Sequence, residues 1–342
     1  MKRATIADLA RESNVSKSTI DRILSGRGSV KSTTVEHVLA VAERINFHAT
    51  GAIRTQLNDG TEPRVLGFVL NARERGFYRD LAEHALRRVA RQPRMRAVVR
   101  HVPSPDPDLM VSALMELAQE CDAIACASVD DPVISEAISE LASRGIPVFA
   151  LITDLSAPER AGFVGANEWQ LGRSAGWFMS LLAPEGGTIA VLDGSHRYTS
   201  QQSQNVSFRA FLNGAPAQYR ILDSRSTQEN DGMAQRIMTE LLEEYGADLT
   251  GLFVTGGGID GVIAALEAAG PRGPRLRVIA NELTERSRSA LRRGLIDVLL
   301  VHPVQDMIDA SIDVMDEAIR APDNARQIQR TLPFRIMISE SC

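Results

Sequence analysis

Val15-Ser16-Lys17-Ser18-Thr19-Ile20-Asp21-Arg22-Ile23-Leu24 reads as a short two-faced helix. Ser16 stands where an N-cap belongs. Val15, Thr19, Ile20, Ile23 and Leu24 fall at helical spacing on one side, leaving Lys17, Ser18, Asp21 and Arg22 on the other. One face suits a core and the other a partner. Upstream, Thr5-Ile6-Ala7-Asp8 has the form of a capping box opening a helix with Ile6, Leu9 and Ala10 on its apolar side, and Ser13-Asn14 ends it. Two short helices across a tight turn predict a helix-turn-helix. The second helix of such a unit lies in the major groove of double-stranded DNA with its N-terminal residues on base edges.

Beyond Gly26-Arg27-Gly28, Val30-Lys31-Ser32 caps a third helix whose apolar stripe is Val35, Val38, Leu39, Val41, Ala42 and Ile45. The segments Ala4–Ala10, Val15–Leu24 and Val30–Phe47 together resemble the head of the LacI/GalR family of bacterial transcription regulators. The resemblance implies operator DNA as partner, a homodimer or possibly a tetramer, and repression relieved by a small sugar-like effector. Lys17, Ser18 and Arg22 are the candidates for base readout, and Thr5, Ser16, Thr19 and Lys31 for phosphate contact. Asp21 is unusual where the family has a small hydroxyl.

Residues 1–46 are thus expected to be the head, residues 47–62 a linker and residues 63–342 the body. In the family the linker folds on DNA and presses an apolar wedge into the minor groove. The resemblance implies DNA contacts for Arg54 and Leu57, although Gln56 takes the wedge position in ungapped alignment and Ala49-Thr50-Gly51 replaces the usual Pro-Asn-Ala start. Gly51 also costs about 1 kcal/mol of helix propensity relative to Ala.

Charge distribution agrees with a two-part molecule. Residues 1–60 hold nine Lys or Arg against six Asp or Glu, so a head of +3 sits on a remainder of −8 in a chain of net −5. One end only suits phosphate. The 342 residues, 44% hydrophobic and 24% charged, are a globular composition for two or three domains. There is no apolar run of about 18 residues and no signal-peptide core after Met1-Lys2-Arg3, so a cytoplasmic protein without a membrane partner is expected. Cys121, Cys126 and Cys342 lack metal-ligand spacing, and neither a metal nor a cofactor is expected.

From Arg64 onward, apolar runs alternate with amphipathic helices: Val65–Leu70, Ala97–Val102, Ala123–Ala127, Pro147–Ile152, Thr188–Leu192, Tyr219–Leu222, Gly251–Val254, Arg277–Ala280 and Val298–Val301. Apolar runs without strict alternation mean strands covered on both faces, and helices between them mean parallel crossovers, hence a doubly wound α/β body. The break at Asp154–Pro158 divides the strands into two lobes. The resemblance extends to periplasmic sugar-binding proteins and implies three crossings, expected near 154–162, 282–286 and 320–329. Lobe one would then hold about 63–155 and 286–320, and lobe two about 161–282 and 328–342, with a final strand at Leu332–Ile338.

Ligands of open α/β sheets bind beyond the carboxyl ends of strands. Phe77 and Tyr78 follow the first strand and look like a stacking platform for a sugar ring; a core contact is the rival reading. His196, Arg197 and Tyr198 follow Leu192, where a solvated loop is the alternative. The resemblance puts Gln204 at the place of the family's ring-hydroxyl arginine, with Arg209 following on the helix. It also puts Glu282, Asn167 and His302 at polar ligand positions and makes Asp154 a hinge acid. Each alone is compatible with a cap or a turn. Arg197 and Arg209 lean the expected polyhydroxylated ligand toward an acidic group. A competing class arises from Gly256-Gly257-Gly258-Ile259-Asp260-Gly261, which satisfies the dinucleotide fingerprint, with Glu282 21 residues beyond Gly261. Six strand-like runs precede the strand that leads into it, and a tight turn near the cleft fits it better than an NAD-dependent oxidoreductase.

Overall fold

A computed structural model describes residues 4–25, 30–45, 47, 49, 50, 53, 63–92, 94–270, 276–321 and 327–342. Arg54 and Leu57 lie outside the described residues.

The head consists of α1 (Ile6–Glu12), α2 (Lys17–Ser25) and α3 (Ser32–Arg44). Thr5 accepts from the Asp8 amide while the Asp8 carboxylate accepts from the Thr5 amide, a complete capping box. Asn14 turns the chain at φ 54°, a left-handed geometry that Asn tolerates. Ser16 caps α2, its Oγ accepting from the Thr19 amide at 3.1 Å. The N-cap of α3 is Lys31, whose side chain makes no cap bond. Leu9, Ile20, Ile23, Val38 and Ala42 close a small apolar core.

The body contains two sheets. The first, in order β12-β5-β4-β3-β1-β2, is formed by β1 (Arg64–Leu70), β2 (Met95–His101), β3 (Ala123–Cys126), β4 (Val148–Leu151), β5 (Gly162–Ala166) and β12 (Ile328–Leu332), all parallel. Successive residues of β1 point to opposite faces, so Leu66, Phe68 and Leu70 meet α4 (Gly76–Val89) and α12 (Val304–Arg320), whereas Val69 meets α5 (Pro107–Leu117) and α6 (Pro132–Ser143). Cys121 and Cys126 are buried in that second cluster, and burial pushes both thiols up to about 12.

The second sheet, in order β13-β11-β10-β9-β6-β7, comprises β6 (Gly187–Asp193), β7 (Tyr219–Ile221), β9 (Leu249–Val254), β10 (Arg277–Ala280), β11 (Val298–Val301) and an antiparallel β13 (Arg335–Met337), with β8 (Arg225–Ser226) beside β6. Its faces are covered by α7 (Glu168–Leu182) and α8 (Thr199–Asn213) on one side. On the other lie α9 (Asp231–Tyr245), α10 (Ile259–Ala269) and α11 (Glu285–Arg292).

The doubly wound expectation agrees with these sheets, but the division of the chain differs from the one expected. Gly162–Ala166 and Ile328–Leu332 pair with each other in the first sheet, and Val298–Val301 stays in the second. The chain therefore changes sheet at Asn167, at His302-Pro303 and at Pro333-Phe334. The strand Gly162-Phe163-Val164-Gly165-Ala166 carries weak strand propensity, and its glycines answer to contact instead. A Cβ at Gly162 would lie 2.0 Å from the Ile328 carbonyl oxygen, and one at Gly165 would lie 2.3 Å from the Phe163 ring. The final strand is correspondingly shorter than Leu332–Ile338.

Candidate functional site

In the head, the α2 face bearing Lys17, Ser18, Asp21 and Arg22 is exposed, while Ile20 and Ile23 are buried. The Ser16 and Thr19 hydroxyls are 2.8 Å apart, and Arg22 Nη2 reaches Thr19 Oγ1 at 3.5 Å. Thr5 and Lys31 stand at the starts of α1 and α3, where amides and a positive helix end favour phosphate. The arrangement offers an exposed, basic and polar helix end.

In the body, the segments after β1, β6, β9, β10 and β11 converge on a cavity of about 60 Å³ between the lobes. Arg75, directly before α4 in the first lobe, crosses it. One guanidinium nitrogen meets Glu229 and another meets Glu282 at 2.8 Å, with the Tyr78 ring 5.4 Å from the guanidinium carbon. Burial works against the Arg75 charge, but Glu282, Tyr78 and Tyr198 together outweigh it and raise the pKa. Burial pushes the Glu282 carboxyl up, and Arg75 pulls it back in part. Gly257 is needed here, since a Cβ on it would lie 2.2 Å from the guanidinium. The glycine-rich turn thus packs against the chain's own arginine. Gly261 lets α10 approach α9, its imagined Cβ being 1.8 Å from the Asp231 carbonyl oxygen.

Beneath the cavity runs a buried polar chain. His302 Nε2 lies 3.0 Å from Glu168 Oε1, Gln204 donates to Glu168 Oε2 at 2.5 Å, and Asn281 donates to Gln204 Oε1 at 2.5 Å. Burial opposes protonation of His302, yet the Glu168 carboxylate outweighs it, so the pKa rises above 6.5. Asn281 Oδ1 is buried with no hydrogen-bond partner among the described residues. A wider groove of about 810 Å³ adjoins the cavity at Phe77, Asn281 and His302, bounded by Asp80 and His84 of α4 and Arg288 of α11. The groove carries Arg87, Arg288 and Arg335 as well, whereas the two carboxylates that hold Arg75 line the smaller space.

Of the residues singled out in the sequence, Phe77, Tyr78, Gln204, Glu282 and His302 line the cavity. Phe77 packs edge-on against Tyr78, with ring centroids 5.2 Å apart, and against His302 at 6.1 Å. Tyr198 lies deeper. Its hydroxyl accepts from Asn71 Nδ2 at 2.9 Å, and the same amide donates to Tyr78 at 3.0 Å, so three side chains tie the lobes together.

The others go elsewhere. Arg197 pairs with Asp131 at the start of α6, an interlobe strut outside the cavity, and His196 is exposed beside it. Arg209 donates to the Leu222 carbonyl at 2.6 Å, to the Ile221 carbonyl at 3.4 Å and to Asn205 at 2.7 Å, clipping the segment after β7 to α8. Asn167 caps α7, and Asp154 forms a two-pronged pair with Arg160 at 2.7 and 3.0 Å. These placements remove the cationic donors on which the lean toward an acidic ligand rested.

Sequence reasoning missed Arg75, Glu229, Gln201 and Glu168. Arg75 adjoins the Gly76-Phe77-Tyr78 segment and was open to inspection. Glu229 sits at φ 59° in a polar loop that nothing in its pattern distinguishes; Gln201 Nε2 donates to it at 2.9 Å and the Gly257 amide at 3.3 Å.

Residues 5–50 match the family model for bacterial regulatory proteins, lacI family, and residues 66–323 match that for the periplasmic binding protein domain. No curated protein matches the chain. Among solved structures, a glucose-galactose binding protein from Geobacillus stearothermophilus is similar, with a TM-score of 0.74 at 17% identity over 82% of this chain and 99% of that one. So is a solute binding protein from Bacillus halodurans with bound myo-inositol, with a TM-score of 0.72 at 17% identity over 82% of this chain and 96% of that one. A solute binding protein from Agrobacterium vitis with bound D-fucose gives 0.74 at 17% identity over 81% of this chain and 96% of that one. At such identities the likeness shows the fold. Among the described residues no helix is long and apolar enough to cross a membrane, and no cluster of His, Cys, Asp and Glu has the makings of a metal site.

Proposed function

The chain belongs to the lacI family of bacterial regulatory proteins, with a periplasmic-binding-protein body, and on that premise we propose that it is a repressor released from its operator by a small polyhydroxylated ligand bound between the lobes. The observation that carries this reading is the interlobe cavity, where aromatic faces from the first lobe meet carboxylates and amides from the second. A ligand touching both lobes shifts the balance between their open and closed arrangements by its difference in affinity for the two. The solved relatives with bound myo-inositol and D-fucose support a ring-sized polyol as the class. The protein acts as a homodimer, its two heads meeting half-sites about 34 Å apart on DNA.

Base readout falls to Lys17, Ser18 and Arg22, and phosphate contact to Thr5, Ser16, Thr19 and Lys31. The test is a titration of the full chain with duplex from its own promoter region and with random duplex at matched salt, each with and without a panel of sugars and polyols. The reading requires tighter binding to the promoter duplex and weakening by at least one panel member. Equal binding to both duplexes sinks it.

A further inference from the structure

Resting on the reading of this cavity as the effector site, we propose that its ligand is an amine-bearing polyol, an amino sugar or aminocyclitol, whose ammonium takes the place of the Arg75 guanidinium between Glu229 and Glu282. The side chains of Arg75, Glu229 and Glu282 are 18%, 10% and 11% exposed, so the ion pairs are largely shielded from water. With Arg75 in place the remaining 60 Å³ holds roughly two waters. A ring-sized ligand enters only as the guanidinium withdraws.

What the ligand then meets where the guanidinium lay is a pair of carboxylates. The side-chain amides of the lining already donate within the protein: Gln204 Nε2 to Glu168, Gln201 Nε2 to Glu229, and Asn281 Nδ2 to Gln204 and to the Thr255 carbonyl. His302, the other base of the lining, is held by Glu168. Facing the cavity once Arg75 leaves are the carboxylates of Glu229 and Glu282, beside Asn281, a residue only 5% exposed whose buried Oδ1 has no partner among the described residues. A neutral ring leaves buried carboxylates without a counter-charge, which is costly, and an anionic one is repelled. An ammonium brings three donors and no acceptor, and its bonds to carboxylate are about twice as strong as neutral ones. Arg75 is the intramolecular stand-in for that cation, and its withdrawal couples ligand entry to release of an interlobe tie.

Two calorimetric arms on the full chain test this. In the first, glucosamine and galactosamine are titrated beside glucose, galactose and glucuronate. The amino sugars are expected to bind about tenfold tighter than their neutral parents, and glucuronate weakest; Glu229→Gln and Glu282→Gln each erase the preference for the amine. In the second, Arg75→Met, which keeps most of the apolar stem and loses the guanidinium, gains thermal stabilisation from low-millimolar ethylguanidinium that the wild type lacks. Neutral parents binding as tightly as the amino sugars overturn the amine and leave the polyol site standing. Failure of every sugar to bind removes both readings. An Arg75→Met protein indifferent to ethylguanidinium overturns the cation receptor whatever the sugars do.

Discussion

Replacing Glu168 by Gln keeps the shape of the side chain and removes the charge that holds His302. The two side chains are 8% and 11% exposed and 3.0 Å apart, so little solvent screening intervenes. In the wild type the folded pKa of His302 lies above 6.5, so the pair's contribution to stability is fully present below that value and is lost as pH rises through the raised folded value. With Gln at position 168 burial becomes the main influence. The folded pKa then falls below 6.5, and the sign reverses: the contribution is present at high pH and lost as pH falls. Breaking a buried pair from one side costs about 3–5 kcal/mol. The destabilisation by Glu168→Gln should approach that size in mildly acidic buffer and shrink in alkaline buffer, by about 1.4 kcal/mol for each unit separating the two folded pKa values. Because Asn167 caps α7 independently, the helix survives the change. Urea denaturation of both proteins across the range from about pH 5 to about pH 9 measures the difference directly. A difference that stays constant over that range refutes the argument.

Arg22→Ala should weaken operator binding by about 1–3 kcal/mol and relax one base position in a binding-site selection; uniform weakening on all duplexes would assign Arg22 to the backbone. Thr5→Ala removes one half of the capping box and should destabilise the isolated unfolding step of the head by about 1 kcal/mol, seen as earlier loss of helical circular dichroism. The Thr5 bonds hold the Asp8 carboxyl below 3.8, so this cap is present above that value and disappears as pH falls through the lowered one; the variant keeps the backbone bond and should show a shallower acid-side slope. Arg209→Ala strips the Ile221 and Leu222 carbonyls of a donor, and a lower melting temperature with unchanged ligand affinity is the expected result. A large loss of ligand affinity with no change in melting temperature would return Arg209 to the binding site.

The helices of the head, the caps of its first two, most strands of the body and the α/β class follow from local rules, and the sequence by itself determined them. Ser16 caps α2 and Thr5 boxes α1 through bonds spanning three residues, and the apolar runs pair as strands because a run covered on both faces has no other use. What a long polar side chain does is different in kind. Arg75, Arg197 and Arg209 look alike in sequence, each close to the end of a strand or on the helix that follows, yet one bridges the cleft, one braces its rim and one clips a loop. Their partners are 207, 66 and 13 residues away. The same holds for Gly162–Ala166, whose glycines are read as poor strand formers until Ile328 is laid against them. Tertiary structure alone decided these roles, because burial makes a charge seek whichever opposite charge the fold brings within reach, and separation along the chain does not encode that approach.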